Sequence, residues 1–322
     1  MSKKENLWEL IKTKEVDSTN LNLDIATFRS IGGFNSKLAS WDPLEKSSRY
    51  YKSLLFEYAN YLDSRIIKSE YFKEKSPKKG DGISFFLKNI INRNLGSPTI
   101  INFEGCIVDI DYLLSCDEMD FIYTQLKNSN VVLEIGAGFG RLPHSIIQTF
   151  SNIDKYIIID LDWMLKLSSI FLKKVLKKDQ FKKIIFIDAA NYKNDLKDII
   201  NVHDEKIDLT INIDSFQEMP TFVAEDYINY ISNHSKSFFS KNAICKYEPD
   251  NINVKLKDDS QYEAALDMGL CKEVIDIFNS NHLNDQQTKY IEKYCPSGFI
   301  NQKKEQCFGQ FLYYCSAFYV KK

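Results

Sequence analysis

The residues whose types and spacing could do chemistry begin with a glycine-rich run. The sequence Glu134-Ile135-Gly136-Ala137-Gly138-Phe139-Gly140 includes the end of the apolar stretch 131–135 and precedes a segment with helical spacing. Glycines permit a tight turn and remove the β-carbons that would keep a ligand from the backbone. A helix that starts directly after such a turn offers free amide donors to an anionic group. The run therefore predicts a cofactor site at Glu134, Gly136, Ala137, Gly138 and Gly140.

The spacing of these glycines distinguishes between two kinds of cofactor. A dinucleotide fingerprint is GxGxxG between a strand and a helix. Here Gly140 comes one position too early, and Arg141 stands where that pattern requires glycine or alanine. An acid two residues before the first glycine is also no part of that pattern. The run therefore favours a nucleotide-containing cofactor other than NAD, and a glycine turn without a ligand is the alternative.

An acidic residue ends the next apolar stretch, residues 156–160. In Rossmann-like sites, an acid at the end of the second strand accepts hydrogen bonds from ribose hydroxyls. We expect Asp160, with its neighbour Leu161, to bind that part of the cofactor. Asp162 is the competing acid, and capping of the following helix is the alternative role of Asp160. Asp188 ends the third apolar stretch, 183–188, in the same way.

A polar run closes the fourth apolar stretch, 206–214. Residues 212–220 read Asn-Ile-Asp-Ser-Phe-Gln-Glu-Met-Pro. Burying acids and amides at the end of a strand is costly unless they are solvated or paired with a ligand. We therefore expect this loop to lie at the site. Ordinary helix capping is the alternative interpretation.

Strands alternating with helices must position these residues. Further strands are expected within 237–249 and at 307–320, and helices at about 141–150, 162–177, 222–234 and 261–280. This alternation predicts an α/β, Rossmann-like, doubly wound and mostly parallel sheet over residues 126–322. In such a sheet the ligand lies at the carboxyl ends of the strands, near the point where the strand order reverses.

The first 125 residues predict a mainly helical N-terminal cap that carries the acceptor region. Helical spacing covers 46–74 and 83–92, and an extended piece at 99–103 precedes a helix over 108–127. One face of the first helix carries apolar and aromatic side chains, namely Tyr51, Leu54, Leu55, Tyr58, Tyr61 and Leu62. This spacing favours a helix core over a wall on which a carbohydrate would stack.

Taken together, these motifs resemble the class I S-adenosylmethionine-dependent methyltransferases. Motif I of that family, E/DxGxGxG, matches residues 134–140. The resemblance implies that S-adenosyl-L-methionine is the cofactor and that the turn passes beneath its amino-acid part. It also implies that Asp188 and Ala189 meet the adenine amino group. Asp214 and Ser215 then lie near the transferred methyl.

Within that class, the sequence looks like the bacterial sugar O-methyltransferases of surface-polysaccharide and glycan loci. The likeness covers roughly residues 35–250 and rests on EIGAGFGRLPHSII, IIIDL, NIDSFQEM, Trp41-Asp42-Pro43 and Arg49-Tyr50. It implies methyl transfer to a sugar hydroxyl of a glycan precursor, including nucleotide- or lipid-linked sugars. The expected substrate-binding residues are Trp41, Arg49, Phe216, Gln217 and Glu218. The alternatives are a non-sugar acceptor, a nicotinamide-dependent reductase and a non-catalytic partner subunit.

A sugar hydroxyl is weakly acidic, so a base or a metal ion must help remove its proton. Glu218 is the first candidate, because its loop should face the methyl, and Asp214, His144 and His234 are the others. Magnesium is an alternative, but no dense acidic cluster demands it, so no metal ligand is assigned.

Composition excludes several other classes of protein. The 322 residues are 44% hydrophobic and 27% charged, with a net charge of −2, which predicts a packed core and no attraction to nucleic acid. The charged N-terminus and the lack of a long apolar window predict neither a secretory signal nor a membrane span. Seven scattered cysteines without a CxxC pair predict reduced thiols in the cytoplasm. A small-molecule or glycan acceptor is the expected partner, and a homodimer is a further expectation.

Overall fold

A seven-stranded, mostly parallel sheet lies at the centre of the computed structural model, which describes residues 24–30, 49–201, 206–247, 259–307 and 312–322. The strands lie side by side in the order β5-β4-β3-β6-β7-β9-β8. Their bounds are β3 Val131–Ile135, β4 Lys155–Asp160, β5 Ile184–Asp188, β6 Leu209–Ile213, β7 Ser237–Ala243, β8 Phe299–Gln306 and β9 Tyr314–Lys321. Strand β9 is antiparallel to both of its neighbours. The doubly wound, mostly parallel sheet predicted from the sequence is confirmed.

Helices cover both faces of this sheet. Those of the cap are α1 Arg49–Ile66, α2 Asp81–Leu87, α3 Ile110–Phe121 and α4 Tyr123–Lys127, and a small hairpin of β1 Ile101–Phe103 and β2 Cys106–Val108 lies between α2 and α3. The others are α5 Arg141–Thr149, α6 Asp162–Val175, α7 Lys178–Phe181, α8 Tyr192–Asn201, α9 Thr221–His234, α10 Asp259–Leu266 and α11 Ser280–Lys293. In the described residues, no helix is both long and apolar enough to cross a membrane.

The central strands are buried on both faces because their side chains alternate between two cores. Val132 belongs to a core that also contains side chains of α1, α3, α5 and α6. Leu133 and Ile135 belong to the opposite core, which contains side chains of α8, α9 and α11. The cap therefore shares one continuous hydrophobic cluster with a face of the sheet.

Four of the six side chains in the apolar stripe of α1 are buried, whereas Leu54 and Tyr61 are half-buried. Tyr51, Leu55, Tyr58 and Leu62 are each 4% exposed or less. Such burial leaves the rings of Tyr51 and Tyr58 no surface on which a carbohydrate could stack.

The C-terminal part departs from the prediction. The helix expected at 261–280 ends at Leu266, because the backbone then turns to pair with the loop after β6. Gly269, with a φ of +77°, donates its N–H to the carbonyl of Met219 at 2.7 Å. Helix α11, capped by Asn279, and strand β8 were not predicted. Strand β8 reads Phe-Ile-Asn-Gln-Lys-Lys-Glu-Gln, and such polar sequences are typical of an edge strand, which protects its open side.

The strand order places the reversal point between β3 and β6. From β3 the chain continues outward through β4 to β5, and it then returns to β6 on the other side of β3. A crevice forms at the carboxyl ends of strands at such a point. Residues 136–140, which follow β3, and residues 214–218, which follow β6, are therefore the two loops that border it.

Candidate active site

The glycine turn is fixed by short hydrogen bonds to its neighbours. The N–H of Gly136 donates to the carbonyl of Ile159 on β4 at 2.8 Å, and the N–H of Gly140 donates to that of Ala137 at 3.1 Å. A β-carbon on Gly136 would lie 2.2 Å from the hydroxyl oxygen of Ser215. Glycine at position 136 therefore lets the turn after β3 pack directly against the loop after β6.

Gly138 has a different role, because it faces open space. Its φ is +58°, and no described atom outside its immediate neighbours lies within 4 Å of where a β-carbon would stand. Its N–H donates to Oδ2 of Asp160 at 2.9 Å. A side chain here would fill a space bordered by the turn, which is the arrangement expected where a ligand approaches backbone.

Asp160, the acid that the sequence predicts to bind ribose, ends β4 and reaches the glycine turn. Its Oδ1 accepts the N–H of Leu161 at 2.8 Å, so each carboxylate oxygen holds one backbone donor. A carboxylate oxygen can accept a second hydrogen bond, which leaves one position on each for a vicinal diol. Burial raises the pKa of Asp160 to about 7, against the opposing effect of these two backbone donors. The competing acid, Asp162, is exposed and forms an ion pair with Lys166.

Asp188 lies beside Asp160 at the same edge of the sheet. The two residues are register partners at the ends of β4 and β5. The N–H of Ala189 donates to the backbone carbonyl of Asp160 at 2.9 Å, and Oδ1 of Asp188 accepts the N–H of Ala190 at 2.9 Å. The structure thus brings together the ends of the three strands that the motifs occupy.

Glu134 lies beneath the turn. It is 3% exposed, and its Oε2 accepts the hydroxyl proton of Tyr156 at 2.7 Å. Burial raises the pKa of Glu134 to about 8, while Tyr156 and Arg141 act in the opposite direction. The enclosed carboxyl group supports the turn from within the protein, and the contact of Glu134 with the cofactor stays a prediction.

Asp214 lies on the other side of the crevice in a left-handed conformation, with a φ of +54°. Such a backbone is unusual for an aspartate and recurs at functional sites. Its N–H donates to the carbonyl of Lys241 at 2.9 Å. Its Oδ1 accepts two hydrogen bonds of 2.5 Å, from the hydroxyl of Tyr314 and from Nε2 of Gln217. The residue is partly open to solvent, but burial raises the pKa of its carboxyl group, and the two donors hold that group in one orientation.

Two buried asparagines fix this loop from below. Nδ2 of Asn212 donates to the carbonyl of Ile135 at 2.9 Å and to the hydroxyl of Ser215 at 2.8 Å. Oδ1 of Asn242, on β7, accepts the N–H of Ser215 at 3.1 Å. Ser215, expected as a cofactor contact, therefore lies between the two loops with its hydroxyl bound to protein atoms.

Three of the remaining candidates are placed away from the crevice. Phe216, expected to contact the substrate, is fully buried and packs against Tyr227. His144 is also fully buried; burial lowers its pKa to about 3, and Nδ1 lies 2.5 Å from the hydroxyl of Tyr112. His234 is the last residue of α9, at the end of the strands opposite the crevice, and its ring stacks on that of Tyr230. Neither histidine is therefore placed to take a proton from a substrate.

The other substrate candidates divide between this loop and the region outside the described residues. Gln217 accepts the N–H of Ala243 through Oε1 at 2.5 Å, so both ends of its amide are engaged. Glu218 is half-buried. Its charge acts to raise the pKa of Lys246, but burial of that lysine has the larger effect and lowers the pKa. Trp41 lies outside the described residues, as does the side chain of Arg49, although the backbone of Arg49 begins α1. Within the described ranges, no group of three or more His, Cys, Asp or Glu residues could hold a metal ion.

Sequence reasoning missed the residues that hold the second loop. Tyr314 lay inside a stretch predicted only as an aromatic strand, and Lys241 lay inside another predicted strand. Nothing in either local pattern points to the loop after β6. Their pairing depends on the strand order β6-β7-β9, which places β7 beside β6 and β9 beside β7 and which no local motif encodes.

Solved structures with some likeness to this chain include three methyltransferases. The methyltransferase domain of bacterial CtHen1 is 12% identical, with a TM-score of 0.45, over 65% of this chain and 96% of that one. Magnesium protoporphyrin IX methyltransferase from Synechocystis PCC 6803, solved with bound SAH, is 13% identical, with a TM-score of 0.42, over 84% and 100%. The glycopeptide N-methyltransferase MtfA, solved with sinefungin, is 12% identical, with a TM-score of 0.41, over 65% and 86%. No family model and no curated protein matches the sequence.

Proposed function

We propose that this protein is an S-adenosylmethionine-dependent O-methyltransferase that acts on a sugar hydroxyl of a surface polysaccharide or glycan precursor. One observation carries the cofactor part. The glycine turn leaves open space at Gly138, and the Asp160 carboxylate reaches that turn with Asp188 beside it. This combination offers an unobstructed backbone, a diol acceptor and a second acid in the order that the cofactor requires. The solved structures with bound SAH or sinefungin are consistent with it.

The residues present fit this cofactor. Asp160 would hold the ribose hydroxyls, Asp188 would accept from the adenine amino group, and the turn at 136–140 would lie beneath the amino-acid part. When bound, S-adenosylmethionine supplies an electrophilic methyl group on a sulfonium centre. The protein contributes positioning, because in-line displacement depends on how the oxygen nucleophile is held relative to that methyl.

Asp214 is the side chain that we assign to proton removal from the acceptor. It lies in the loop that borders the crevice, and the donors on Oδ1, Tyr314 and Gln217, orient its carboxylate. Glu218, the first candidate from the sequence, is half-buried and lies in the field of Lys246. A base must come within hydrogen-bonding reach of the proton it removes, and Asp214 lies beside the reversal point.

Calorimetric titration of the full chain with S-adenosylmethionine, S-adenosylhomocysteine and NADH tests the cofactor assignment. We expect both adenosyl compounds to bind and NADH to give no heat. Binding of NADH alone would make the protein a reductase. Absence of binding by all three would favour a non-catalytic subunit.

An acceptor screen that detects S-adenosylhomocysteine release tests the substrate class. Methyl glycosides and nucleotide sugars represent the proposed acceptors, and phenols and amines represent the alternative of a non-sugar small molecule. With an active acceptor, Asp214→Asn should lower turnover by on the order of a hundredfold, the range found for general bases, whereas Glu218→Gln should retain most activity. The reverse result would return the base to Glu218.

A further inference from the structure

Glu118, on α3 of the cap, lies where the cap meets both loops of the crevice. Its side chain is 1% exposed. Its Oε2 accepts from Nη1 of Arg141 at 2.6 Å, and its Oε1 accepts from Nη2 of Arg141 at 3.1 Å. The same Oε1 accepts from Nζ of Lys241 at 3.3 Å. One buried carboxylate therefore binds two cations that belong to different segments of the sheet domain.

Each of these cations is attached to one of the two loops. Arg141 directly follows Gly140, at the start of α5. Lys241, on β7, accepts the N–H of Asp214 with its backbone carbonyl at 2.9 Å. Through these partners, Glu118 connects the turn after β3 to the loop after β6. These are the two walls between which the proposed cofactor lies.

Neighbouring charges hold Glu118 and its partners in place. Asp117 pairs with Lys241 at 2.9 Å and with Arg65 of α1 at 2.6 Å. The hydroxyl of Ser115 accepts from Nη1 of Arg141 at 3.0 Å. Burial alone would lower the pKa of Lys241. The Asp117 and Glu118 carboxylates together have the larger effect, so the pKa is raised and the amine stays charged. Charges attract each other more strongly in such a buried setting than on the surface, and removing one partner leaves an uncompensated buried charge.

We propose that Glu118 is a positioning residue that fixes the two loops relative to each other and thereby sets the affinity for the cofactor. The proposal rests on the proposed function, since the cofactor is the ligand assigned to the space between the loops. It gives the cap a part in cofactor binding through side chains that touch neither substrate nor cofactor.

Calorimetry with S-adenosylhomocysteine on the Glu118→Gln variant tests this role. Glutamine keeps the shape of the side chain but cannot pair with two cations, so the dissociation constant should rise by on the order of tenfold. The matched control is Asp63→Asn, because Asp63 is also 1% exposed and accepts backbone N–H groups of Gly80 and Ile83 within the cap. This variant should lower the melting temperature and leave the affinity unchanged. Equal losses of affinity in both variants would overturn the proposal.

Hydrogen exchange in the absence of ligand separates this inference from the proposed function. In Glu118→Gln, amide exchange should rise by on the order of tenfold in both 133–142 and 211–219, and Asp63→Asn should leave both segments protected. Lys241→Met, which keeps the apolar stem, should expose 211–219 in the same way if Glu118→Gln does not fold. If exchange rises in Glu118→Gln but the wild-type protein does not bind S-adenosylhomocysteine, the connection between the two loops is supported and the cofactor assignment is rejected. Unchanged exchange in both segments would reject the connection.

Discussion

The two sides of the crevice are built on different principles. On the side proposed to bind the cofactor, the decisive contacts join backbone groups and short acids at the ends of adjacent strands, as where Gly138 meets Asp160, 22 positions away. On the side proposed to bind the acceptor, Asp214 is held by Tyr314, 100 positions away, and Lys241 is held by Glu118, 123 positions away. The first side depends on glycine backbone conformation and strand ends. The second depends on side chains brought together by the whole fold.

This difference separates binding from turnover. A wall of backbone and short side chains is rigid and suits a cofactor that is the same in every reaction cycle. A carboxylate oriented by distant partners can be altered by changing those partners while the cofactor wall stays intact. Substitutions on the first side should therefore change cofactor affinity, and those on the second should change turnover. The exception is Glu118, which we infer to connect the two.

The largest effect is expected for Asp160→Ala. The variant removes an acceptor of two ribose hydrogen bonds, and hydrogen bonds to a charged group are each worth about 1.5–3 kcal/mol, so affinity for S-adenosylhomocysteine should fall by at least about a hundredfold. Calorimetry measures this loss. Asp162→Ala is the matched control, because Asp162 is exposed and lies two positions away. A similar loss in both variants would mean that the turn and Asp160 do not form the ribose site.

The pH dependence of cofactor binding should follow Asp160. Its pKa of about 7 in the free protein means that a proton must leave before ribose hydroxyls can bind the charged carboxylate. The affinity for S-adenosylhomocysteine should therefore be constant above about pH 7 and fall about tenfold for each unit below it. Because the folded pKa is raised, this residue also makes the free protein lose stability as the pH rises from about 4 to about 7.

Calorimetric titrations at several pH values check this profile. Asp160→Asn should abolish the pH dependence, since the amide does not titrate. A profile that persists unchanged in that variant would assign the pH dependence to another group, and Glu134, with a pKa of about 8, would be the first candidate.

Gly138→Ala should weaken cofactor binding by about tenfold, because its β-carbon would enter the space assigned to the ligand and a positive φ costs an L-residue about 1–2 kcal/mol. Gly105→Ala is the matched control. Gly105 also has a positive φ, +82°, and open surroundings, but it lies in the hairpin of β1 and β2. Both variants should lose similar stability in thermal unfolding, and only Gly138→Ala should lose affinity. Equal affinity in both would show that the space at Gly138 holds no ligand.

The same division between local and distant contacts explains which features of the fold and the site could be predicted from the sequence. The glycine turn, Asp160 and Asp188 were predicted correctly in position because each depends on a strand end and its next few residues. The burial of Phe216 could not be predicted, because the polar run at 212–220 does not show which side chain enters the core. The C-terminal helix at 261–280 failed because the backbone of Gly269 pairs with Met219, a contact that helical spacing cannot reveal. Tyr314 and Glu118 could not be found, since their partners become neighbours only when the sheet is complete.

The smallest effect is expected for Tyr314→Phe, which removes one hydrogen bond to Asp214 and leaves the ring in place. A net hydrogen bond is worth about 1 kcal/mol, so turnover of an active acceptor should fall by about fivefold while affinity for S-adenosylhomocysteine stays unchanged. Tyr319→Phe is the matched control, because Tyr319 lies on the same strand and donates to the carbonyl of Ile291 instead. Loss of cofactor affinity in Tyr314→Phe with turnover preserved would contradict the division, since it would place Tyr314 on the cofactor side. If only Tyr314→Phe loses turnover, the rate of proton removal depends on the orientation of the Asp214 carboxylate and not on its presence alone.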